Sequence, residues 1–293
     1  EIGEIELVVF LGDSVTVGTP NFEHLLPTDN SHYWRNKIAK DLVSLHGLDK
    51  GNDLSWGLWK SWDAFEQKGA LNESGDFRNC AHWGARTKDF LEGDKQLDLC
   101  FPDGGSDKKT LVLFTVGGND FKKIVDTGSE STPEEIAAGY PNVWAEAEAI
   151  IANLKGAMEW LKDPARFPNG VSIIFANPYE FTDGTGDTSS CASAEVLSGV
   201  EAWEDSEALG ALSTWITVQF MEIAVSTQTD MIFMLERFCG HGYVKAGPTA
   251  DPNAYSPCDA GPDATLWFDE TCVHPNQDGH QAIYDMFSAV ILE

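Results

Sequence analysis

Basic residues are scarce in this chain of 293 residues. Nineteen lysines and arginines stand against 47 aspartates and glutamates, which leaves a formal net charge of −28 at pH 7. A surface of this sign repels phosphate groups, so the composition excludes a general nucleic-acid-binding surface and disfavours docking on anionic lipid. We interpret the charge as a means of keeping the protein soluble. Calcium binding by acidic loops is the alternative.

Long apolar runs and paired metal-ligand cysteines are also missing. No run of 18 apolar residues occurs, so no transmembrane helix is predicted. The six cysteines form no Cys-x-x-Cys pair, which argues against a zinc ribbon, and the histidines show no metal-ligand spacing. An even number of cysteines spread through predicted loops favours disulfides in a secreted or periplasmic protein whose signal peptide has been removed. We expect a Cys80 to Cys100 bridge and pairs among the last four, Cys191, Cys239, Cys258 and Cys272.

Apolar runs typical of strands alternate with helical periodicity along the whole chain. Strands are predicted at 5–11, 77–84, 110–120, 170–181 and 230–236, and helices at 32–47, 132–163, 194–228 and 274–293. Pro141 is expected to break or kink the helix at 132–163. This alternation predicts an α/β fold in which a parallel sheet lies between two layers of helices. Neither a repeat nor a composition break interrupts the pattern. We therefore predict one domain over residues 1–293, with loop insertions at about 48–75 and 239–268.

Three predicted strands end in polar turns, and a histidine precedes the last helix. The turns are GDS at 12–14, WGART at 83–87 and GGND at 117–120, and His274 lies in CVHPNQDGH. Because the carboxyl ends of parallel strands meet at one edge of a sheet, we expect these turns to converge there. A serine hydroxyl becomes nucleophilic when a neighbouring imidazole takes its proton, so Ser14 and His274 are a candidate pair. Taken alone, Ser14 fits a helix cap equally well.

These blocks resemble those of the GDSL/SGNH hydrolase superfamily, and they occur in the family's order. The resemblance rests on Ser14 in GDSVTVG, Gly84 in GARTKDFL, Asn119 in GGND and His274 in HPNQDGH. It implies a flavodoxin-like sheet of five parallel strands and hydrolysis of acyl esters. It also implies that Ser14 is the nucleophile and His274 the base. The oxyanion hole would then consist of the Ser14 and Gly84 N–H groups and the Asn119 side chain, whose amide donates without charge.

The catalytic acid departs from the pattern of this family. The family usually places its carboxylate three residues before the histidine, where this chain has Thr271. Asp269 is our first choice for the acid, because a carboxylate holds the imidazole tautomer and stabilises the imidazolium. Glu270 is the alternate. A dyad in which a backbone carbonyl orients His274 is the third interpretation.

Other polar residues have structural interpretations. The resemblance makes Asp13 a structural loop residue, and we interpret His280 as a packing or capping histidine. Hard cations take oxygen ligands from acidic loops, so Asp183 and Asp187 are candidate calcium ligands. Further aspartates follow in a second acidic loop, at Asp251, Asp259 and Asp263. A solvated acidic loop is the interpretation that we prefer for both.

The sequence therefore predicts a serine esterase that forms an acyl-enzyme on Ser14 and requires no cofactor, with calcium as the one candidate. Carboxylic esters of short to medium acyl chains are the first expected substrates. Lipase or phospholipase action on lipid esters and deacetylation of carbohydrates are alternatives on the same scaffold. A binding module with an impaired triad is the alternative from a different class. The lack of a carboxylate at position 271 is the one feature that favours it.

Overall fold

A single sheet organises the part of the chain that the structure describes. The computed structural model describes residues 3–18, 31–51, 71–93, 95–183, 188–191, 193, 199, 203, 205–243 and 264–293. In these ranges the sheet has six strands: β1 (Leu7–Gly12), β2 (Asn72–Ser74), β3 (Phe77–Asn79), β4 (Thr110–Thr115), β5 (Val171–Ala176) and β6 (Asp230–Ile232). The longest of them are runs of apolar residues, as expected for strands that are buried on both faces.

The strand order is β2-β3-β1-β4-β5-β6, and every neighbouring pair is parallel except β2 with β3. Numbered along the chain, the five parallel strands lie in the order 2-1-3-4-5, which is the flavodoxin-like arrangement. The predicted parallel sheet is thus confirmed, but it carries a sixth, antiparallel edge strand. Its Asn-Glu-Ser sequence has no apolar alternation that could have signalled a strand. It forms because the chain turns back at Gly75, whose φ is 57°.

Nine α-helices accompany the sheet in the described ranges. They are α1 (Ser14–Val17), α2 (Trp34–His46), α3 (Gln96–Cys100), α4 (Gly118–Ser129), α5 (Pro133–Ala137), α6 (Pro141–Leu161), α7 (Ser206–Thr227), α8 (Met234–Phe238) and α9 (Gln277–Leu292). The predicted helix at 132–163 is two helices, because Pro141 begins α6 after Tyr140 adopts a left-handed conformation. The predicted strand at 230–236 ends at Ile232, and α8 follows it.

Successive residues of β1 face opposite apolar layers. Leu7 and Val9 belong to a cluster with residues of α4, α6 and α7, whereas Val8 and Phe10 belong to a cluster with residues of α2 and α9. The alternation follows from the two-residue period of a strand. The sheet is therefore covered by helices on both faces, which confirms the three-layer α/β/α prediction. That residues 1–293 form one domain stays a prediction.

Helix α7 is the one helix in the described ranges that is long and apolar enough to cross a membrane. Length and composition are weak grounds for a span, because the core helices of globular domains meet the same criteria. The inner face of α7, with Leu212, Ile216 and Phe220, lies in the apolar layer that also contains Val9. The described residues therefore contain no clear transmembrane segment.

Disulfides join distant parts of the fold. One links Cys80 to Cys100, as predicted, and ties the end of β3 to α3. A second links Cys191 to Cys272, two of the last four cysteines. Cys239 is also disulfide-bonded. Cys258 lies outside the described residues, as do parts of both predicted loop insertions.

Candidate active site

Ser14 begins the short helix α1 directly after β1. The chain turns at Gly12, the last residue of β1, whose φ is 109° and where a Cβ atom would lie 1.9 Å from the carbonyl oxygen of Thr115, so only glycine fits. Asp13 caps the helix by accepting a hydrogen bond from the Val15 N–H at 3.1 Å. The N–H of a first helical residue has no partner within its helix, and none of the described residues accepts from the Ser14 N–H.

His274 lies opposite Ser14, on the loop before α9. Its Nε2 is 2.8 Å from Ser14 Oγ, although the two residues are 260 positions apart in the chain. The loop is held by the Asp269 N–H, which donates to the His274 carbonyl at 2.8 Å, and by the Tyr179 hydroxyl, which donates to the Val273 carbonyl at 2.8 Å. Burial lowers the pKa of His274 to about 4, so its imidazole is neutral at pH 7 and can accept a proton.

The candidates for the group that orients His274 lie in different environments. The carboxylate of Asp269 is buried and accepts hydrogen bonds from the Thr271 hydroxyl and from the Thr271 N–H. Thr271 Oγ1, in turn, lies 2.8 Å from His274 Nδ1. The side chain of Glu270 is exposed. Within the described ranges, the hydrogen-bond partner of Nδ1 is this hydroxyl, and neither a carboxylate nor a backbone carbonyl bonds it.

Two candidate oxyanion-hole residues, Gly84 and Asn119, lie on a loop and on the first turn of α4, and these two segments are tied together. Gly84 is exposed with φ 74°, a Cβ atom there would meet open space, and no described residue accepts from its N–H. Asn119, near the start of α4, donates one amide hydrogen to the Ala85 carbonyl at 3.0 Å. Thr87 reinforces the tie by donating its N–H and its hydroxyl to Asp120, at 2.9 and 3.0 Å. One N–H of Gly84 and one amide hydrogen of Asn119 are thus left for a ligand.

Sequence reasoning missed a buried glutamine behind the nucleophile. Gln96 Nε2 donates to the Gly12 carbonyl at 2.9 Å, and its Oε1 accepts from the Gly12 N–H at 2.8 Å. The His82 N–H also donates to the Gly12 carbonyl. No local motif marks Gln96, because its partner lies 84 residues away. The disulfide that joins Cys80 and Cys100 is the one indirect signal, since it holds α3 against this edge of the sheet.

Comparison with known protein families identifies the family to which this chain belongs. A family model described as GDSL-like lipase/acylhydrolase matches residues 8–287. The chain belongs to this family. No match was found among curated proteins.

Solved structures of a lipase, a phospholipase and an esterase resemble this one at low sequence identity. An extracellular lipase from Streptomyces rimosus shares 17% identity over 97% of this chain and 99% of that chain, with a TM-score of 0.51. A phospholipase A1 from Streptomyces albidoflavus shares 14% over 97% and 99%, with a TM-score of 0.53. An acetyl-xylooligosaccharide esterase from Geobacillus shares 15% over 99% and 95%, with a TM-score of 0.50. At such identities these likenesses show the fold. The family match is what identifies this protein as a carboxylic ester hydrolase of the GDSL type.

Two further side chains of this GDSL site have packing or capping positions. Asp13 Oδ1 accepts from the Thr115 hydroxyl at 3.0 Å as well as from the Val15 N–H, and both bonds are structural. Burial raises the pKa of Asp13 to about 7. His280 is buried on α9 and packs edge-on against Tyr33 with ring centroids 5.0 Å apart, as expected for a packing histidine.

Trp83 packs against one face of the His274 imidazole ring. Its ring stacks on His274 with centroids 5.7 Å apart and an interplanar angle of 28°. Trp83 directly precedes Gly84, so the same loop supplies both this ring and a candidate oxyanion donor. The face of an aromatic ring attracts a cation, and it would therefore favour the imidazolium form of His274.

The predicted calcium ligands fall largely outside the described residues: Asp187, Asp251, Asp259 and Asp263. Asp183 is described, and its carboxylate accepts from the N–H groups of Gly240 and Gly242 at 2.9 to 3.1 Å. These bonds give Asp183 a structural task in closing its loop. In the described ranges no group of three or more candidate ligand side chains is close enough to hold a metal ion. Calcium binding stays the untested alternative to solvated acidic loops.

Proposed function

We propose that this protein hydrolyses carboxylic esters through a covalent acyl-enzyme on Ser14, with His274 as the base. The observation that carries the proposal is the 2.8 Å separation between His274 Nε2 and Ser14 Oγ. This is hydrogen-bond distance between a candidate nucleophile and a neutral base. A binding module with an impaired site would not need this pair to be assembled.

The reaction runs in two halves on these groups. Ser14 Oγ attacks the ester carbonyl carbon while its proton passes to His274 Nε2. The bond from that carbon to the alcohol oxygen then breaks, and the imidazolium returns the proton to the leaving alcohol. A water molecule next gives a proton to Nε2 and attacks the acyl carbon, which releases the acid and restores the Ser14 hydroxyl. No organic cofactor takes part.

Negative charge that develops on the carbonyl oxygen needs fixed donors. The Ser14 and Gly84 N–H groups and the second amide hydrogen of Asn119 are the donors that this site offers. Each is left without an acceptor among the described residues, which supports their assignment to the oxyanion hole. The ties from Asn119 to Ala85 and from Thr87 to Asp120 hold the last two in place before substrate arrives.

We propose water-soluble esters of short to medium acyl chains as the substrates. The net charge of −28 supports this choice, because it works against adsorption on an anionic lipid surface. Two described disulfides and the bonded Cys239 support a secreted or periplasmic location.

The test combines an activity-based label with a substrate panel. A fluorophosphonate probe should label the wild type and not Ser14→Ala, because labelling requires an activated hydroxyl. p-Nitrophenyl esters from acetate to palmitate should show the highest kcat/KM at short to medium chains. Phosphatidylcholine vesicles and an acetylated oligosaccharide test the phospholipase and the carbohydrate acetylesterase alternatives. An unlabelled, inactive wild type would contradict the proposal and favour the binding module.

A further inference from the structure

His274 is held at Nδ1 by a hydroxyl where a triad would present a carboxylate. Thr271 Oγ1 lies 2.8 Å from Nδ1, and the same oxygen is hydrogen-bonded to Asp269 Oδ1. The Thr271 N–H donates to that carboxylate oxygen as well, at 2.8 Å. Both Asp269 and Thr271 are buried, so water competes little for these bonds. The carboxylate thus reaches the imidazole by way of Thr271.

The direction of each bond follows from counting protons. An ionised carboxylate can only accept, so the single hydroxyl proton of Thr271 points to Asp269. The Thr271 oxygen must then accept from His274, which places the ring proton on Nδ1. Nε2 is left with its lone pair directed at the Ser14 hydroxyl, which is the tautomer that a general base requires.

We propose that Thr271 is a positioning residue that passes the anchoring effect of Asp269 on to His274. Ser14, His274, Thr271 and Asp269 then form one chain of hydrogen bonds in which a hydroxyl bridges the base and the carboxylate. The inference rests on the proposed function, since it assigns a task to Thr271 only if His274 is the base.

The loop around Thr271 is fixed by other contacts. The Asp269 N–H donates to the His274 carbonyl, and the Tyr243 hydroxyl donates to the Asp269 carbonyl at 2.6 Å. The disulfide to Cys191 fixes Cys272, the next residue along. Because these contacts do not involve the Thr271 hydroxyl, removing it should leave the loop in place. The bridging role can therefore be separated from a purely structural one.

Removing the Thr271 hydroxyl should lower kcat by the contribution of one hydrogen bond to His274, which becomes charged when it takes the Ser14 proton. Such a bond is worth about tenfold to one hundredfold in rate. This is smaller than the roughly 10⁴-fold cost of neutralising a carboxylate that directly contacts the catalytic histidine. The bridging hydroxyl lengthens the path between the carboxylate and the imidazolium, and so weakens their attraction.

The test compares Thr271→Val, which removes the hydroxyl at nearly constant shape, with Thr271→Ser, which keeps it. We expect Thr271→Val to lower kcat about tenfold to one hundredfold with KM near that of the wild type, and to lower the melting temperature by only a few degrees through the two buried partners that it leaves unpaired. Thr271→Ser should retain activity within about threefold of the wild type. Thr214→Val, at an exposed position of α7, is the matched control. Asp269→Asn should lower kcat in the wild type but add less than about threefold in the Thr271→Val background.

Two results would overturn the inference. One is a Thr271→Val enzyme with wild-type kcat. The other is an Asp269→Asn effect of equal size in both backgrounds, which would mean that Asp269 acts without Thr271. Failure of the proposed function looks different, since the wild type would then neither hydrolyse esters nor bind the fluorophosphonate label.

Discussion

Gln96 pairs through its side-chain amide with both backbone groups of Gly12, the last residue of β1. The neighbouring strand β3 ends at Asn79, opposite Phe10, and beyond it the His82 N–H donates to the Gly12 carbonyl. The Gly12 N–H finds its acceptor in Gln96 Oε1, which reaches it from a fully buried position. Since Ser14 follows two residues later, this pairing fixes the point at which the chain leaves the sheet and enters α1.

We expect Gln96→Leu to lower the free energy of unfolding by about 1–3 kcal/mol, because it leaves the buried Gly12 N–H without an acceptor. Urea unfolding followed by circular dichroism measures the change. Gln277→Leu, at an exposed position of α9, is the control and should stay within about 0.5 kcal/mol of the wild type. Equal stability of the two variants would show that the Gly12 pairing does not stabilise the fold.

Asn119 is the side-chain donor of the candidate oxyanion hole. We expect Asn119→Ala to lower kcat about 10²- to 10³-fold with little change in KM, since the donor acts on charge that exists only in the transition state. Initial rates with p-nitrophenyl acetate measure this. Asn142→Ala, at an exposed position of α6, is the matched control. A kcat for Asn119→Ala within threefold of the control would remove Asn119 from the hole.

The proposed base, His274, and the carboxyl group of Asp269 titrate in separate pH ranges. Burial raises the pKa of Asp269 to about 6, and burial lowers the pKa of His274 to about 4. As the pH falls through 6, Asp269 gains a proton while His274 is still neutral. We therefore expect kcat/KM to decline in two steps on the acid side, a partial one near pH 6 and a complete one near pH 4.

The Asp269→Asn variant isolates the upper step. It should lose the decline near pH 6 and keep the one near pH 4. Burial also raises the pKa of Asp13 to about 7 and that of Asp120 to about 6. The origin of the step near pH 6 is therefore decided by comparing the variant with the wild type, because the wild-type profile alone contains all three groups. Profiles of identical shape for both proteins would exclude Asp269 as the origin of the step.

Buried Asp13 also makes stability depend on pH. Its pKa rises from 3.8 to about 7 on burial, so the folded state binds the proton more tightly than the unfolded state. The stability that results is fully present below pH 3.8 and is lost as the pH rises from there through 7. We expect the melting temperature to fall between about pH 4 and pH 7.

Asp13→Asn should make this decline shallower by a few degrees, because it removes the titrating carboxyl. Asp98→Asn, at an exposed position of α3, should reproduce the wild-type slope. Differential scanning calorimetry across the pH range provides the comparison. Parallel curves for all three proteins would mean that Asp13 contributes no linkage.

Several features of the fold could be predicted because their signals are local. The apolar run of β1 and the polar turn after it predicted a buried strand that presents Ser14 at the sheet edge. Pro141 predicted the break between α5 and α6. By contrast, β2 has a polar sequence of three residues, and it forms a strand only because β3 is there to pair with it.

The sequence by itself determined the layered α/β class, because strand runs are properties of adjacent residues. Its short motifs, through their resemblance to those of the GDSL/SGNH superfamily, identified Ser14, Gly84, Asn119 and His274 as candidate site residues. Only the tertiary structure decided what meets His274 Nδ1 and what holds Gly12. Thr271 and Asp269 are two residues apart in one loop, and the sequence does not show which of their side chains contacts the imidazole. The conformation of the loop places the Thr271 hydroxyl against Nδ1 and the Asp269 carboxylate behind it. Gln96 and Gly12 are 84 residues apart, and no local pattern encodes a hydrogen bond over that distance.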